Sequence, residues 1–172
     1  QANLSPTARA YFIDQRGLPG DLITQFRIGW ATGQAGARFA TQAPQLFRAL
    51  QGAGLIRARA NSLTWTGEEA YRDYFQERLM FPVLRHGRAV FLTGRTLDAR
   101  EPKYLHQPGP DPPLYNEEAL GPGPVFVTEG PLDALSLGAG GYPAVALLGS
   151  GRGGVVGRLG RRDNSRRQTA RS

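Results

Sequence analysis

Val125-Phe126-Val127-Thr128-Glu129-Gly130-Pro131-Leu132-Asp133-Ala134-Leu135-Ser136-Leu137 is the stretch whose reading decides the fold. An apolar run ends on a carboxylate, a Gly-Pro turn follows, and a second carboxylate stands four residues on. The pattern predicts a buried strand, a turn, and a helix over 132–137 with Asp133 in its first turn. Tyr142 to Leu148 reads as a further strand. Strand, helix and strand with a short crossover predict a parallel βαβ unit. Two acids at the C-terminal edge of a sheet form a candidate opening for a divalent metal. Hard cations such as Mg²⁺ take oxygen ligands and often share them with phosphates. A plainer reading makes Asp133 a helix cap and Glu129 a solvated strand end. The five residues from Glu129 to Asp133 alone leave both readings open.

Upstream, Phe81-Pro82-Val83-Leu84 and Arg88-Ala89-Val90-Phe91-Leu92 flank His86-Gly87, a hairpin signal. Gly94-Arg95-Thr96 ends the second strand. Residues 99–124 hold seven prolines and predict an irregular crossing segment, extended where ordered. Further back, Ser5-Pro6 predicts a helix start, with Ser as N-cap and Pro at the first helical position. Ala8, Tyr11, Phe12 and Gln15 run on at helical spacing until Gly17. A second short helix is expected over 19–26 with Leu22, Ile23 and Phe26 on one face. A third is expected over 43–51, burying Leu46, Phe47 and Leu50. Residues 68–76 read equally as helix or strand.

The 172 residues allow one domain or two small lobes, enough chain to bury a sizeable core. Cysteine is absent, which excludes disulfides and thiolate metal sites and fits a reducing, cytoplasmic setting. Nothing reads as a transmembrane helix or a signal peptide, and no membrane partner is expected. Gln1 stands where a starting Met would, so the chain reads as a piece of a longer protein. The net charge of +7 is unevenly placed. Residues 152–172 carry seven Arg and one Asp, leaving a net of +1 for the remainder. A whole-domain electrostatic case for nucleic acid is therefore weak, and binding would have to come from locally placed cations. Twenty of the 21 basic residues are Arg, a compositional bias against which the single Lys103 stands out.

Those local cations are Arg78, just before the Phe81 strand; Arg95, at a strand end; and Lys103, in Pro102-Lys103-Tyr104-Leu105. A lone Arg is usually a solvated surface residue, and Arg85 and Arg88 at the hairpin turn keep that reading. Gly94 before Arg95 would let a phosphate approach the backbone. Arg offers a bidentate fork for phosphate and Lys103 a point charge. Tyr104 is a candidate for stacking on a base, or else a core or rim aromatic. His86 reads as a solvated turn residue and His106 as a buried or nucleic-acid-facing one. Two histidines without matched acids make no zinc site.

In order along the chain, these landmarks resemble the catalytic core of bacterial DnaG-type primases. The likeness runs from about Ala8 to Ser150. Arg16-Gly17-Leu18, Ile23, Phe26-Arg27-Ile28-Gly29 and Gly54-Leu55-Ile56 match its opening. Tyr71-Arg72-Asp73-Tyr74-Phe75-Gln76-Glu77-Arg78-Leu79-Met80-Phe81-Pro82 matches its Tyr-x-Asp-x-Phe-x-x-Arg-x-x-Phe-Pro pattern. Gly94-Arg95, Pro102 to His106 and Leu114-Tyr115 follow in register. Glu129 to Asp133 resembles the Toprim motif Glu-Gly-x-x-Asp. The ordered series is far more specific than any one member.

The resemblance implies an α+β fold: an N-terminal helical part (1–66), a mixed β-sheet, nucleic-acid-binding lobe (67–121), a partial Toprim-like α/β lobe (122–151) and a basic, disordered tail (152–172). It implies primer synthesis by metal-dependent nucleotidyl transfer. Glu129 and Asp133 would be the catalytic and metal-binding acids, for Mg²⁺ or Mn²⁺. Arg78, Arg95, Lys103 and Tyr104 would contact nucleic acid and nucleotide. The partners implied are a single-stranded DNA template, ribonucleoside triphosphates and a replicative helicase. Departures are visible: Pro112-Pro113 stand where the family has a Lys, and His106 where it has Asn. The chain holds no zinc-ribbon cluster, so that module is expected to be absent or removed. The family's later Asp-x-Asp is missing, with Asp163 the only acid beyond Asp133. A change of reading frame near Gly151 would produce such an Arg/Gly-rich tail, and the gene sequence tests this. The expected metal site is thus incomplete, and a lobe cut short would leave uncovered strands prone to self-association. Two alternatives stand beside the active core: a catalytically incomplete nucleic-acid-binding remnant, and another Toprim enzyme of nuclease or topoisomerase type.

Overall fold

The computed structural model describes residues 4–59 and 70–149. The predicted basic tail, the expected disorder of 152–172 and the first part of the ambiguous 68–76 stretch lie outside the described residues. The chain separates into two compact units, Gln1–Pro110 and Asp111–Ser172.

The first unit opens with helix α1 (Pro6–Ala10), continued by a wider π turn over Tyr11–Gln15. Ser5 Oγ accepts the Ala8 N–H at 3.2 Å, as its N-cap role requires. Gly17, at φ +64°, ends the run. Ala8 and Phe12 are fully buried. The short α2 (Asp21–Gln25) buries Ile23 and leads into β1 (Gly29–Ala31). Next come α3 (Ala35–Gln42) and α4 (Pro44–Gly52). On α4 Phe47 is buried against Tyr71 in an edge-to-face contact at 4.7 Å. Leu46, expected in the core, is exposed: a nine-residue helix lying on a small sheet covers only one narrow stripe.

Strands β2 (Ile56–Ala58) and β3 (Tyr71–Asp73) form an antiparallel ribbon, so the ambiguous stretch is extended over 71–73. The main sheet has the order β1-β4-β5-β6 with every pairing antiparallel. Its centre is the expected hairpin, β4 (Arg78–Arg85) and β5 (Arg88–Thr96), turned by His86 and Gly87 at φ +49° and +71°. Positive φ at both positions matches the twist of a two-residue turn to the strands. Leu79, Phe81, Val83 and Phe91 are buried. Pro82 fits mid-strand because β1 pairs β4 only as far as Met80, leaving one side without a partner. Within the proline-rich crossing, Tyr104–His106 forms strand β6, paired to β5.

The second unit is the expected βαβ. Strands β7 (Phe126–Thr128) and β8 (Ala144–Ala146) pair in parallel around α5 (Pro131–Ala139). Pro131 sits in the first turn of α5, where its missing N–H costs nothing. Tyr115 bridges Ala146 on the other side of β8, so β8 is central and its three residues are buried. β7, expected to be buried, is not: Phe126 and Val127 are 50% and 46% exposed. Successive strand residues point to opposite faces, so both faces of β7 are left about half open. Phe126 meets the half-exposed ring of Tyr142 edge to face at 5.6 Å. The α+β class follows from both units together, the parallel pairing belonging to the second.

Candidate functional site

The end of the main sheet where β4 begins, β5 ends and β6 begins gathers four of the sequence-predicted residues. Register sets this: Arg78 opposes Thr96, and Arg95 opposes both Leu79 and Tyr104. The hairpin arginines Arg85 and Arg88 oppose each other at the far end and are exposed.

Arg78 is the most enclosed of the cations, 7% exposed. Its Nη1 donates to the carbonyls of Pro102 at 3.0 Å, Lys103 at 3.3 Å and Gly94 at 3.3 Å. The guanidinium thus ties the start of β4 to the end of β5 and to the segment carrying Lys103. Burial, and then the neighbouring charge of Arg100, lower its pKa, with Asp98 and Tyr74 opposing. A guanidinium stays protonated regardless. Lys103 also receives the Thr96 N–H on its carbonyl at 3.0 Å, and its own N–H donates to Glu101 Oε2 at 2.9 Å. Its backbone is held from both sides while its side chain is exposed, with no ion pair among the described residues.

Arg95 lies between two aromatic rings. Its guanidinium carbon is 5.3 Å from the Tyr104 ring and 5.5 Å from the Tyr11 ring, within cation–π range. Nη1 donates to the Tyr104 hydroxyl at 3.2 Å. Nε is buried and has no hydrogen-bond partner among the described residues, which is unusual for a native polar atom. Tyr11 was not legible as a site residue, because its helical spacing fits a core position equally well.

Gly94 overturns its sequence reading. It is buried, and a Cβ there would stand 2.9 Å from Met80 Sδ, 3.1 Å from Phe75 Cδ1 and 3.2 Å from Arg78 Cβ. The missing side chain makes room for protein packing, not for a phosphate. Behind this end of the sheet, His106 Nδ1 meets Thr93 Oγ1 at 2.9 Å, and burial lowers its pKa.

The acids occupy the second unit. Glu129 follows β7, Gly130 caps α5, and Asp133 lies in the first turn; both acids are exposed. Gly130 presents only backbone to the helix start, so carboxylates are favoured there by the helix dipole. Two exposed carboxylates suit a hard cation that draws its other ligands from water and phosphate. Among the described residues there is no group of three or more His, Cys, Asp or Glu side chains. Glu129 and Asp133 could therefore supply part of such a set.

A family model for the N-terminal domain of the DNA primase catalytic core matches residues 1–119. The DNA primase of Neisseria meningitidis is 30% identical over 164 residues, covering 87% of this chain and 26% of that protein. A DnaG primase catalytic domain solved bound to ssDNA is 30% identical, with TM-score 0.65 over 85% of this chain and 48% of that one. The RNA polymerase domain of Mycobacterium tuberculosis primase DnaG, solved with double-stranded DNA, is 26% identical, with TM-score 0.72 over 94% and 54%. The fold is thus that of a primase-type catalytic core. The chain belongs to the family of the DNA primase catalytic core, N-terminal domain. It spans about a quarter of its curated relatives' length and about half of the solved chains. No helix among the described residues is long and apolar enough to cross a membrane.

Proposed function

We propose that this chain is the template- and nucleotide-binding part of a primase that makes short RNA primers on single-stranded DNA. The observation that carries this reading is the gathering of Arg78, Arg95, Lys103 and Tyr104 at one end of the main sheet, in a chain of the primase family. Relatives solved with single-stranded and double-stranded DNA support the choice of ligand. Phosphoryl transfer asks little covalent chemistry of the protein, so positioning and charge do most of the work. Lys103 supplies a mobile point charge on a fixed backbone. Arg95 supplies a guanidinium whose plane is set by two tyrosines. Tyr104 presents a ring beside it. Arg78 acts on phosphate through the segment it anchors. Glu129 and Asp133 would hold Mg²⁺ or Mn²⁺, which supplies charge neutralisation and Lewis acidity to the reacting phosphates. The helicase partner and a Toprim-type second lobe belong to the same reading.

A primer-synthesis assay on a single-stranded template, with ribonucleoside triphosphates and either metal, tests it. Primer made by the protein and abolished by Glu129→Gln is the expected result. Lys103→Ala should raise the KM for nucleotide more than it lowers kcat. A second reading, binding without catalysis, is favoured by the lack of a third acid beside Glu129 and Asp133 among the described residues. Retained DNA binding with no primer under any metal decides for it. Loss of both would refute the two together.

A further inference from the structure

The β2–β3 ribbon sets two arginines against each other. Ile56 opposes Asp73 on its buried face, and Arg57 opposes Arg72 on its exposed face. Like charges directly opposite each other destabilise an antiparallel pair. A two-stranded ribbon has little stability to spare. Arg-rich composition accounts for the residue type but not for the register that brings these two together. No carboxylate among the described residues neutralises either. Among the described residues the Arg72 side chain has no hydrogen bond, ion pair or ring contact. Arg57 lays its guanidinium over the Tyr74 ring at 4.7 Å. Tyr74 is two residues beyond Arg72 on the same side, so ring and both cations share one surface. Arg59, two residues beyond Arg57, extends that side, its N–H bonded to the Ala70 carbonyl at 2.9 Å.

Stacking fixes the plane of the Arg57 fork and leaves its outer N–H edge for a ligand with paired anionic oxygens. Opposed guanidinium groups relieve their repulsion when two linked anionic groups sit over them. A phosphodiester strand offers these at a regular spacing, with π faces that stack beside a tyrosine. We infer that the exposed face of the β2–β3 ribbon is a second track for single-stranded nucleic acid. Arg57 and Arg72 each take a backbone phosphate, and Tyr74 backs Arg57. The track is built on a different sheet from the Arg95–Lys103 end, and none of its cations belongs to the predicted site. It rests on the reading that the chain binds nucleic acid.

The test follows the anisotropy of a labelled oligothymidylate from 50 to 300 mM NaCl for the full chain, Arg57→Gln, Arg72→Gln, their double variant, and Arg95→Gln. Each phosphate contact contributes about 0.7 to the slope of log K against log salt for a single strand. Each single variant should lower the slope by about 0.7 and the double by about 1.4. Urea unfolding of Arg72→Gln gives the second readout: its midpoint should hold or rise, because a repulsion is removed and no contact is lost. A double variant with an unchanged slope, while Arg95→Gln lowers it, overturns the track and leaves the functional reading intact. No binding by the unsubstituted chain overturns both. Poly-glutamate bound as tightly, with the same dependence on Arg57 and Arg72, overturns it in favour of an acidic protein partner.

Discussion

Asp73→Ala should be among the most damaging single substitutions in the first unit. The Asp73 carboxylate is 8% exposed and accepts the N–H groups of Ala35 and Gly36, each at 2.6 Å. These are the first donors of α3, which no local side chain caps. Charge-assisted hydrogen bonds contribute about 1.5–3 kcal/mol each, and a lost helix cap costs about 0.5–2 kcal/mol. The two overlap here, so the cost of Asp73→Ala is about 3 kcal/mol. With a urea m-value of about 2 kcal/mol/M, the midpoint falls by about 1.5 M. Asp73→Asn keeps one acceptor but turns an amide donor toward the other N–H, and should cost about 2 kcal/mol. A cycle with Gly36 sharpens the test. A Cβ on Gly36 would stand 2.9 Å from Asp73 Oδ1 and 3.4 Å from Ile56 Cγ2. Gly36→Ala alone should cost about 1–3 kcal/mol by overpacking. It should cost measurably less with Asp73→Ala already present, because the nearest atom is gone. Strict additivity, or an Asp73→Asn midpoint within about 0.2 M of the parent, would refute the remote-cap account.

Gly94→Ala forces a methyl against Met80, Phe75 and Arg78 and should lower stability by about 1–3 kcal/mol, read as a urea midpoint. Burial holds the pKa of His106 below its ordinary value, so the unfolded chain binds that proton more readily. Its contribution is complete above the unfolded pKa of about 6.5 and is lost as pH falls below it. His106→Asn should therefore flatten the pH dependence of the unfolding midpoint below about pH 6.5. Tyr11→Phe should leave DNA affinity near that of the parent, since the ring face over Arg95 remains. Tyr11→Leu should weaken binding, with a cost of about 0.5–1 kcal/mol measured by titration.

Legibility followed the distance between cause and effect along the chain. The hairpin at His86-Gly87, the Ser5 cap and the βαβ unit are local devices, and each stood where the sequence placed it. Helix α3 escaped notice because its cap is 38 residues away, on Asp73. Strand β6 was hidden among prolines, since pairing with β5 and the Arg78 bonds hold it extended rather than any propensity of its own. The exposure of β7 was misread for a related reason. An apolar triplet reports what a strand can bury, not what is present to bury it.

The site cations show the same limit on finer scale. Sequence order grouped Arg78, Arg95 and Lys103 as contacts for phosphate, the arginines as forks and Lys103 as a point charge. The folded chain gives them different tasks, because carbonyl oxygens and anions compete for the same N–H groups. Arg78 spends Nη1 on three carbonyls and becomes the fastening of β4 to the Lys103 segment. Arg95 spends Nη1 on one phenol and stacks between two tyrosine rings. Lys103 spends its backbone and keeps its ammonium. This ordering predicts how substitution with the other basic residue should behave. Arg78→Lys cannot span three carbonyls with one ammonium, so it should lower the unfolding midpoint and weaken DNA binding together. Lys103→Arg should preserve stability and most of the binding, because only the exposed head changes. If Arg78→Lys left the midpoint untouched and weakened binding alone, Arg78 would be a direct phosphate ligand and its bonds to the Lys103 segment incidental.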